Sequence, residues 1–323
     1  MKTNEIIMKI ENSFSEDYDK NLQILIDNLK YYQANFNQEV VEELQILALC
    51  LHDYKNKELR SFQRFLFQYE KLKKDSFVLA YKYLKEYINI LEQASQIRDS
   101  DYEFNEEIEY YLFSVYNKNR VITSSKVNIA KLYQMAAEDA YEILEYEEAL
   151  FYIKKAYKYL VANVKVALLY CDILEALKDY DTFYSINKRT YQYIYDPKDF
   201  ASYLRNMGLY YTEKKNFYPA TASYIASLAY DYSKEAQQEL NFLANAYDLE
   251  FEFDLKPDDL KAVFEEYNIE QYISNDVLYL AYKLANNAIE KKEFEKANYF
   301  YSIVYLINKD EQVANILKEL NNI

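Results

Sequence analysis

The 323-residue chain contains one glycine, three prolines, no tryptophan, one histidine and two cysteines. Each scarcity excludes something. A single Gly leaves no glycine-rich phosphate loop, dinucleotide fingerprint or nucleophile elbow, and it starves the tight turns that sandwiches and barrels need. His52 is the only histidine, so no histidine-rich metal site exists. It follows Cys50 by two residues on a predicted helix, which points the two side chains to different faces and prevents a local nucleophile and base pair. Cys50 and Cys171 cannot form a disulfide framework, in keeping with a reducing compartment. Met1 to Phe14 carries no apolar core of signal-peptide length, and no later run approaches the roughly 20 apolar residues of a bilayer span. A soluble, cytoplasmic protein is expected.

What the chain has in quantity is acid and tyrosine. Lys and Arg number 38 against 53 Asp and Glu, a formal net charge of −15. Such a chain repels a phosphate backbone, so no nucleic acid partner is expected, and any charged partner is basic. The acidity is concentrated after Ala130. A hydrophobic fraction of 51% supplies a packed core and excludes a wholly disordered chain. The 39 tyrosines, set beside abundant Asn, Ile and Lys, read as AT-rich codon usage combined with helix packing, the alternative being an aromatic binding surface.

Apolar residues recur at three- and four-residue spacings almost everywhere, as in Leu22, Leu25, Ile26 and Leu29, or in Phe104, Ile108, Tyr111 and Leu112. This is the period of amphipathic helices. Breaks fall at Asn35 to Asn37, Lys73 to Ser76, Asp99 to Asp101, Asn117 to Ser125, Tyr195 to Lys198 and Phe253 to Asp258. Joints this short favour antiparallel neighbours. Pro197, Pro219 and Pro257 all fit helix starts, where a missing N–H costs little.

Four windows align: Tyr146-Glu-Glu-Ala149, Tyr180-Asp-Thr-Phe183, Phe217-Tyr-Pro-Ala220 and Phe294-Glu-Lys-Ala297, stepped by 34, 37 and 77 residues. Twelve residues before each last member stand Ala137, Cys171, Gly208 and Ala285, all small; seven after it stand Ala156, Thr190, Ser227 and Val304. Small residues in register mark places where two antiparallel helices cross too closely for a long side chain. The pattern resembles the tetratricopeptide repeat (TPR) family, helix pairs of about 34 residues with small positions late in the first helix and midway through the second. The resemblance covers about residues 127–307. It implies an all-α, right-handed α-solenoid of antiparallel helix pairs, a TPR-like superhelix, with Glu311 to Ile323 as a capping helix. The domain reading is an irregular, helical, repeat-like region over 1–125, then a TPR-like region over 126–323. Helices are expected over Gln38 to Tyr54, Lys57 to Leu72 and Phe77 to Ala94. The step of 77 predicts a degenerate unit built from Ser233 to Tyr247 and Asp258 to Tyr267. Its joint, Leu249 to Leu255, alternates apolar and acidic residues and reads as an extended segment.

Catalytic constellations are missing from this pattern. Cys171 occupies a small packing position, and the carboxylate runs around Asp99 to Glu109 and Glu250 to Asp259 lack the glycine and alternating oxygens of a calcium loop. No enzyme activity, cofactor or metal is expected. In the TPR resemblance the first helix of each pair lines a concave groove. Its exposed face here presents Gln134, Glu138, Tyr141 and Glu142, then Leu168, Asp172 and Glu175, then Arg205, Leu209 and Thr212, then Tyr282, Asn286 and Ile289. Acidic residues stand where a clamp for a C-terminal carboxylate needs Lys and Asn, so the groove suits a basic or amphipathic protein or peptide segment. The expected function is a noncatalytic scaffold or adaptor. Alternatives are a peptide-sensing receptor lacking a DNA-binding module, since Met1 to Asn35 is not basic, and an acidic decoy of a nucleic-acid-binding protein. A carboxylate enzyme is a more distant third.

Overall fold

The computed structural model describes residues 3–321 apart from 16, 36, 56–58, 95–100, 119, 121, 125–127 and 248–256. The Leu249 to Leu255 segment therefore lies outside the described residues, as do the side chains of Cys50 and His52. Everything regular in the described chain is helical except two paired two-residue strands, Asp101–Tyr102 and Thr123–Ser124. Among the described residues no helix is long and apolar enough to cross a membrane. Two compact units emerge, one of Met1–Asp101 with Ser124–Tyr152, the other of Tyr102–Thr123 with Ile153–Ile323.

The first unit holds α1 (Thr3–Glu11), α2 (Tyr18–Ala34), α3 (Gln38–Lys55), α4 (Leu59–Asp75), α5 (Phe77–Ala94), α7 (Ile129–Glu142) and the start of α8 (Tyr146–Tyr159). Ile6, Ile10, Leu25, Val40, Leu44 and Leu47 close a core between α1, α2 and α3. The α4–α5 pair is aromatic: Phe65 stacks on Tyr83 and Tyr87 with ring centroids 5.1 and 4.1 Å apart. Asp139 of α7 is 1% exposed. It accepts hydrogen bonds from the Tyr69 hydroxyl at 2.6 Å and the Lys73 ammonium at 2.9 Å, so the buried charge is compensated in place.

The second unit holds α6 (Glu107–Tyr116), α9 (Val164–Ala176), α10 (Tyr180–Thr190), α11 (Pro197–Glu213), α12 (Phe217–Tyr230), α13 (Lys234–Tyr247), α14 (Pro257–Glu266), α15 (Asn275–Glu290), α16 (Phe294–Asn308) and α17 (Glu311–Leu320). Sequential helices pack as pairs, α9 with α10, α11 with α12 and α15 with α16, while α13 and α14 both lean on α12. Asn163, Asp179, Asp196, Ser274 and Asp310 cap helix starts by accepting backbone N–H bonds. Pro197 sits at the first turn of α11, as its fixed φ favours.

The small residues of the sequence register are buried, and two of them are seen in contact across a pair: Cys171 with Phe183, and Gly208 with Tyr224. Ala137, Cys171, Gly208 and Ala285 are all buried, as are Ala149, Phe183, Ala220 and Ala297. Gly208 is the tightest of them: a Cβ placed there would stand 2.8 Å from the Tyr224 ring on α12. No side chain larger than hydrogen fits that crossing without movement.

The turns inside the pairs carry a second regularity. Leu144, Lys178, Lys215 and Lys292 have positive φ of 64°, 59°, 57° and 60°, and each stands two residues before the aromatic that opens the next helix. In each, the following residue's N–H reaches back to close the helix end, for example Asn216 to the Tyr211 carbonyl and Glu293 to the Ala288 carbonyl, both 2.9 Å. This is the Schellman closure, normally given to glycine. With its only glycine spent at a helix crossing, the chain places lysine or leucine in the left-handed conformation instead.

Tyrosine hydroxyls tie down the connection from α14 to α15. Tyr211 donates to the Tyr267 carbonyl at 3.1 Å, Tyr230 to the Gln271 carbonyl at 3.0 Å and Tyr191 to the Tyr272 carbonyl at 3.0 Å. The Lys188 ammonium meets the Asn268 carbonyl and the Glu270 carboxylate at 2.6 Å each, and Tyr203 also donates to Glu270. A non-helical strap with no sheet to join thus finds its hydrogen-bond partners in side chains of α10, α11 and α12 and the 3-10 turn at Tyr191–Tyr193.

Candidate functional site

The sequence places its acidic groove residues on the first helices of successive pairs, and the second unit brings two of them together with carboxylates the sequence reading passed over. Asp172 and Glu175 lie on one face of α9, one turn apart. Glu213 closes α11 and Glu239 lies on α13. The field of Glu175 contains Asp172, Glu239 and Glu213; that of Glu239 contains Glu213. The four carboxylates therefore form one cluster contributed by three helices. No basic side chain is within ion-pair distance of any of them among the described residues, and Lys214, next to Glu213, is turned to Asp181 at 2.8 Å.

Asp172, Glu175 and Glu213 are exposed and Glu239 is half-buried. Asp172 is reached by water, yet the protein crowding around its carboxyl pushes its pKa up to about 6. Glu175 is raised first by the same desolvation and then by repulsion from Asp172, Glu239 and Glu213. Glu239 follows, through desolvation and Glu213. Burial pushes the Cys171 thiol well up, with Asp172 adding to it, so this cysteine is held as an inert thiol. Tyr180 and Tyr224 border the carboxylates, and both phenols are raised by desolvation ahead of the neighbouring glutamates. No group of three or more His, Cys, Asp or Glu side chains converges closely enough to hold a metal ion among the described residues.

The remaining sequence candidates behave differently from one another. In the first unit Glu138 and Glu142 are exposed, while Gln134 is buried, donating to Glu138 at 2.7 Å, and Tyr141 packs its ring 5.5 Å from that of Tyr146. In the second unit Thr212 is buried and donates its hydroxyl to the Gly208 carbonyl at 2.9 Å. Gln134 and Thr212 are thus occupied within the fold, because local side-chain bonds satisfied them before any partner arrives. Arg205 is drawn to Ser202 at 2.8 Å and lies 3.9 Å from Asp231. Leu168 and Leu209 are half-buried. Tyr282 packs edge-on to Tyr301, whose hydroxyl donates to Asn286 at 2.6 Å, which spends both on the α15–α16 pair.

Glu213 and Glu239 carry no local sequence signal beyond sitting at helical spacing among other acids. Glu213 follows Thr212, the sequence candidate, by one position, and Glu239 lies on α13, outside the four aligned windows. No protein-family model matches the chain, and no curated protein matches it.

Proposed function

We propose that the chain is a noncatalytic, TPR-like helical-repeat scaffold that binds a basic or amphipathic protein segment against the carboxylate-bearing faces of its first helices. The observation that supports this reading is the cluster of Asp172, Glu175, Glu213 and Glu239, which draws on α9, α11 and α13 and has no cation of its own among the described residues. Asp172, Glu175 and Glu239 are raised by desolvation, with repulsion from neighbouring carboxylates added at Glu175 and Glu239, and a positively charged partner relieves both. Cys171 does not compete with this reading, being buried with its thiol raised.

The test is selection from a display library of random 12-residue peptides with the intact chain. Enrichment of Lys- and Arg-bearing sequences, lost when Asp172 and Glu175 are changed to Ser together with Glu138 and Glu142, supports the scaffold. Enrichment of acidic peptides, or none at all, refutes it.

A further inference from the structure

The second unit is one continuous run, Ile153–Ile323, to which a single earlier segment, Tyr102–Thr123, is added. That segment enters and leaves through the two paired strands, Asp101–Tyr102 and Thr123–Ser124, and it carries α6. Its chain neighbours on both sides, Asp101 and Ser124, belong to the first unit. Residues 102–123 are therefore joined to the run 153–323 by packing and hydrogen bonds alone, as an arm, and can separate from it without parting any of the helix pairs.

The seat of this arm is specific. Ile108, Leu112 and Phe113 of α6 are at most 1% exposed. Tyr111 sets its ring 6.2 Å from that of Phe300 on α16, Tyr116 sets its ring 6.0 Å from that of Tyr193, and Lys296 meets Glu107 at 3.1 Å. The Glu103 N–H donates to the Tyr159 carbonyl at 3.0 Å. Beside these contacts Glu109 is buried, 2% exposed. Its Oε2 accepts from the Asn105 N–H at 2.8 Å and the Glu106 N–H at 3.4 Å, while its Oε1 accepts from Asn163 Nδ2 at 2.7 Å. Asn163 is itself fixed, because its Oδ1 caps α9 through the Val166 N–H. One carboxyl thus ties the start of α6 to the start of α9.

We propose that Glu109 is the latch of this arm: residues 102–123 are seated on the run 153–323 while the Glu109 carboxyl is protonated and come away from it as that carboxyl ionises. The titratable groups that face it are Glu106 at the start of α6, Tyr195 ahead of α11 and Tyr299 on α16, and none of them is a cation. A charge buried without a counter-ion is costly. That cost outweighs the bonds from Asn105, Glu106 and Asn163, which favour the ionised form, and pushes Glu109 up to about 7. Protonation removes the charge and keeps the seat, since Oε2 still serves both N–H groups as the carbonyl oxygen of the neutral acid. Off the seat the residue is an ordinary glutamate with a value of 4.5. The seated arm therefore holds a proton that the free arm has lost, and release becomes easier as pH climbs from 4.5 to about 7, levelling above that. This device goes beyond the scaffold reading and stands without it.

The test is amide hydrogen exchange of the full chain between about pH 5 and 7.5, each rate being divided into that of an unstructured peptide at the same pH so that only protection is compared. A helix of 10 residues is too short to keep its hydrogen bonds once off the seat, so exchange over residues 107–116 reads release. Protection there is expected to fall about fiftyfold from the lower pH to the higher, to stay below that of α11 and α12 throughout, and to change little in about 1 M urea, because release exposes far less surface than unfolding. E109Q, which cannot ionise, is expected to lose the pH response. E107Q removes the same charge from the Lys296 pair two positions away and is expected to keep it. The parent alone can overturn the latch, either by protection over 107–116 that is flat with pH or by protection that equals that of α11 and α12 and falls with urea as theirs does. An E109Q protein with the parent's pH response overturns it as well.

Discussion

Tyr224 lies across Gly208 at a distance that admits no side chain: an added Cβ would stand 2.8 Å from the ring. The one glycine of the chain is therefore a packing residue. Gly208→Ala is expected to destabilise the protein by about 1–3 kcal/mol through overpacking, against the usual gain of a helical Gly→Ala change. Urea denaturation decides it. Adding Tyr224→Leu, which removes the opposing ring, should recover part of the loss; a stable Gly208→Ala single variant would show that the crossing has slack.

Left-handed lysines at helix ends give the opposite prediction. Lys215 has φ of 57° and closes α11 through the bond from Asn216 N–H to the Tyr211 carbonyl. Lys215→Gly should stabilise by about 0.5–1 kcal/mol, since glycine adopts this conformation without strain and loses some of that gain to chain entropy. Lys178→Gly and Lys292→Gly should behave alike, read as a rise in the urea midpoint with unchanged slope.

Acid should stabilise this protein before it unfolds it. Asp172 is held up to about 6 by desolvation, and Glu109, 2% exposed, up to about 7, where burial outweighs the bonds its carboxylate accepts from the Asn105 N–H and Asn163. The folded state therefore takes up protons above the pH at which the unfolded chain does, and stability rises as pH falls from about 8 toward 5. Asp172 faces Glu175 and Cys171, Glu175 in turn faces Glu213 and Glu239, and the raised Glu175 and Glu239 act in the same direction. Denaturation midpoints between pH 8 and 5.5 should increase, and Asp172→Asn and Glu109→Gln should each flatten the rise. A midpoint that falls steadily over that range would contradict the assignment.

The strap between α14 and α15 is held mainly at Glu270. Lys188→Met removes its ammonium partner and the bond to the Asn268 carbonyl, leaving a half-buried carboxylate to Tyr203 alone. A loss of about 2 kcal/mol is expected, against about 1 kcal/mol for Tyr230→Phe, which deletes one neutral bond. Hydrogen exchange should show faster exchange over residues 267–274 in the lysine variant. Equal stability of the two variants would mean that Glu270 is adequately solvated without Lys188.

Much of the helical order was legible in the chain. Phe77 to Ala94 is α5 to the residue, and the aligned windows open α8, α10, α12 and α16, each with its aromatic two residues past a left-handed turn. Two helices fall where the step of 77 predicts them, α13 and α14, and both pack on α12. Local pattern was less informative about what faces a partner. Thr212 and Asn286 share a helical face with open positions, and only their bonds to the Gly208 carbonyl and Tyr301 hydroxyl reveal that the fold has taken them.

Composition and spacing alone determined that this chain is helical, that its helices pair, and that α11 and α12 cross closely at Gly208, because those properties depend on residues within about 34 positions of one another. Tertiary structure decided which of 53 acidic residues stand together. Glu213 and Glu239 join Asp172 and Glu175 only through the rotations at which α9, α11 and α13 are set, quantities that no single helix encodes. The same holds for the tyrosines. Their number follows from composition, but the choice of Tyr191, Tyr203, Tyr211 and Tyr230 to hold the strap belongs to distances between elements far apart in the chain.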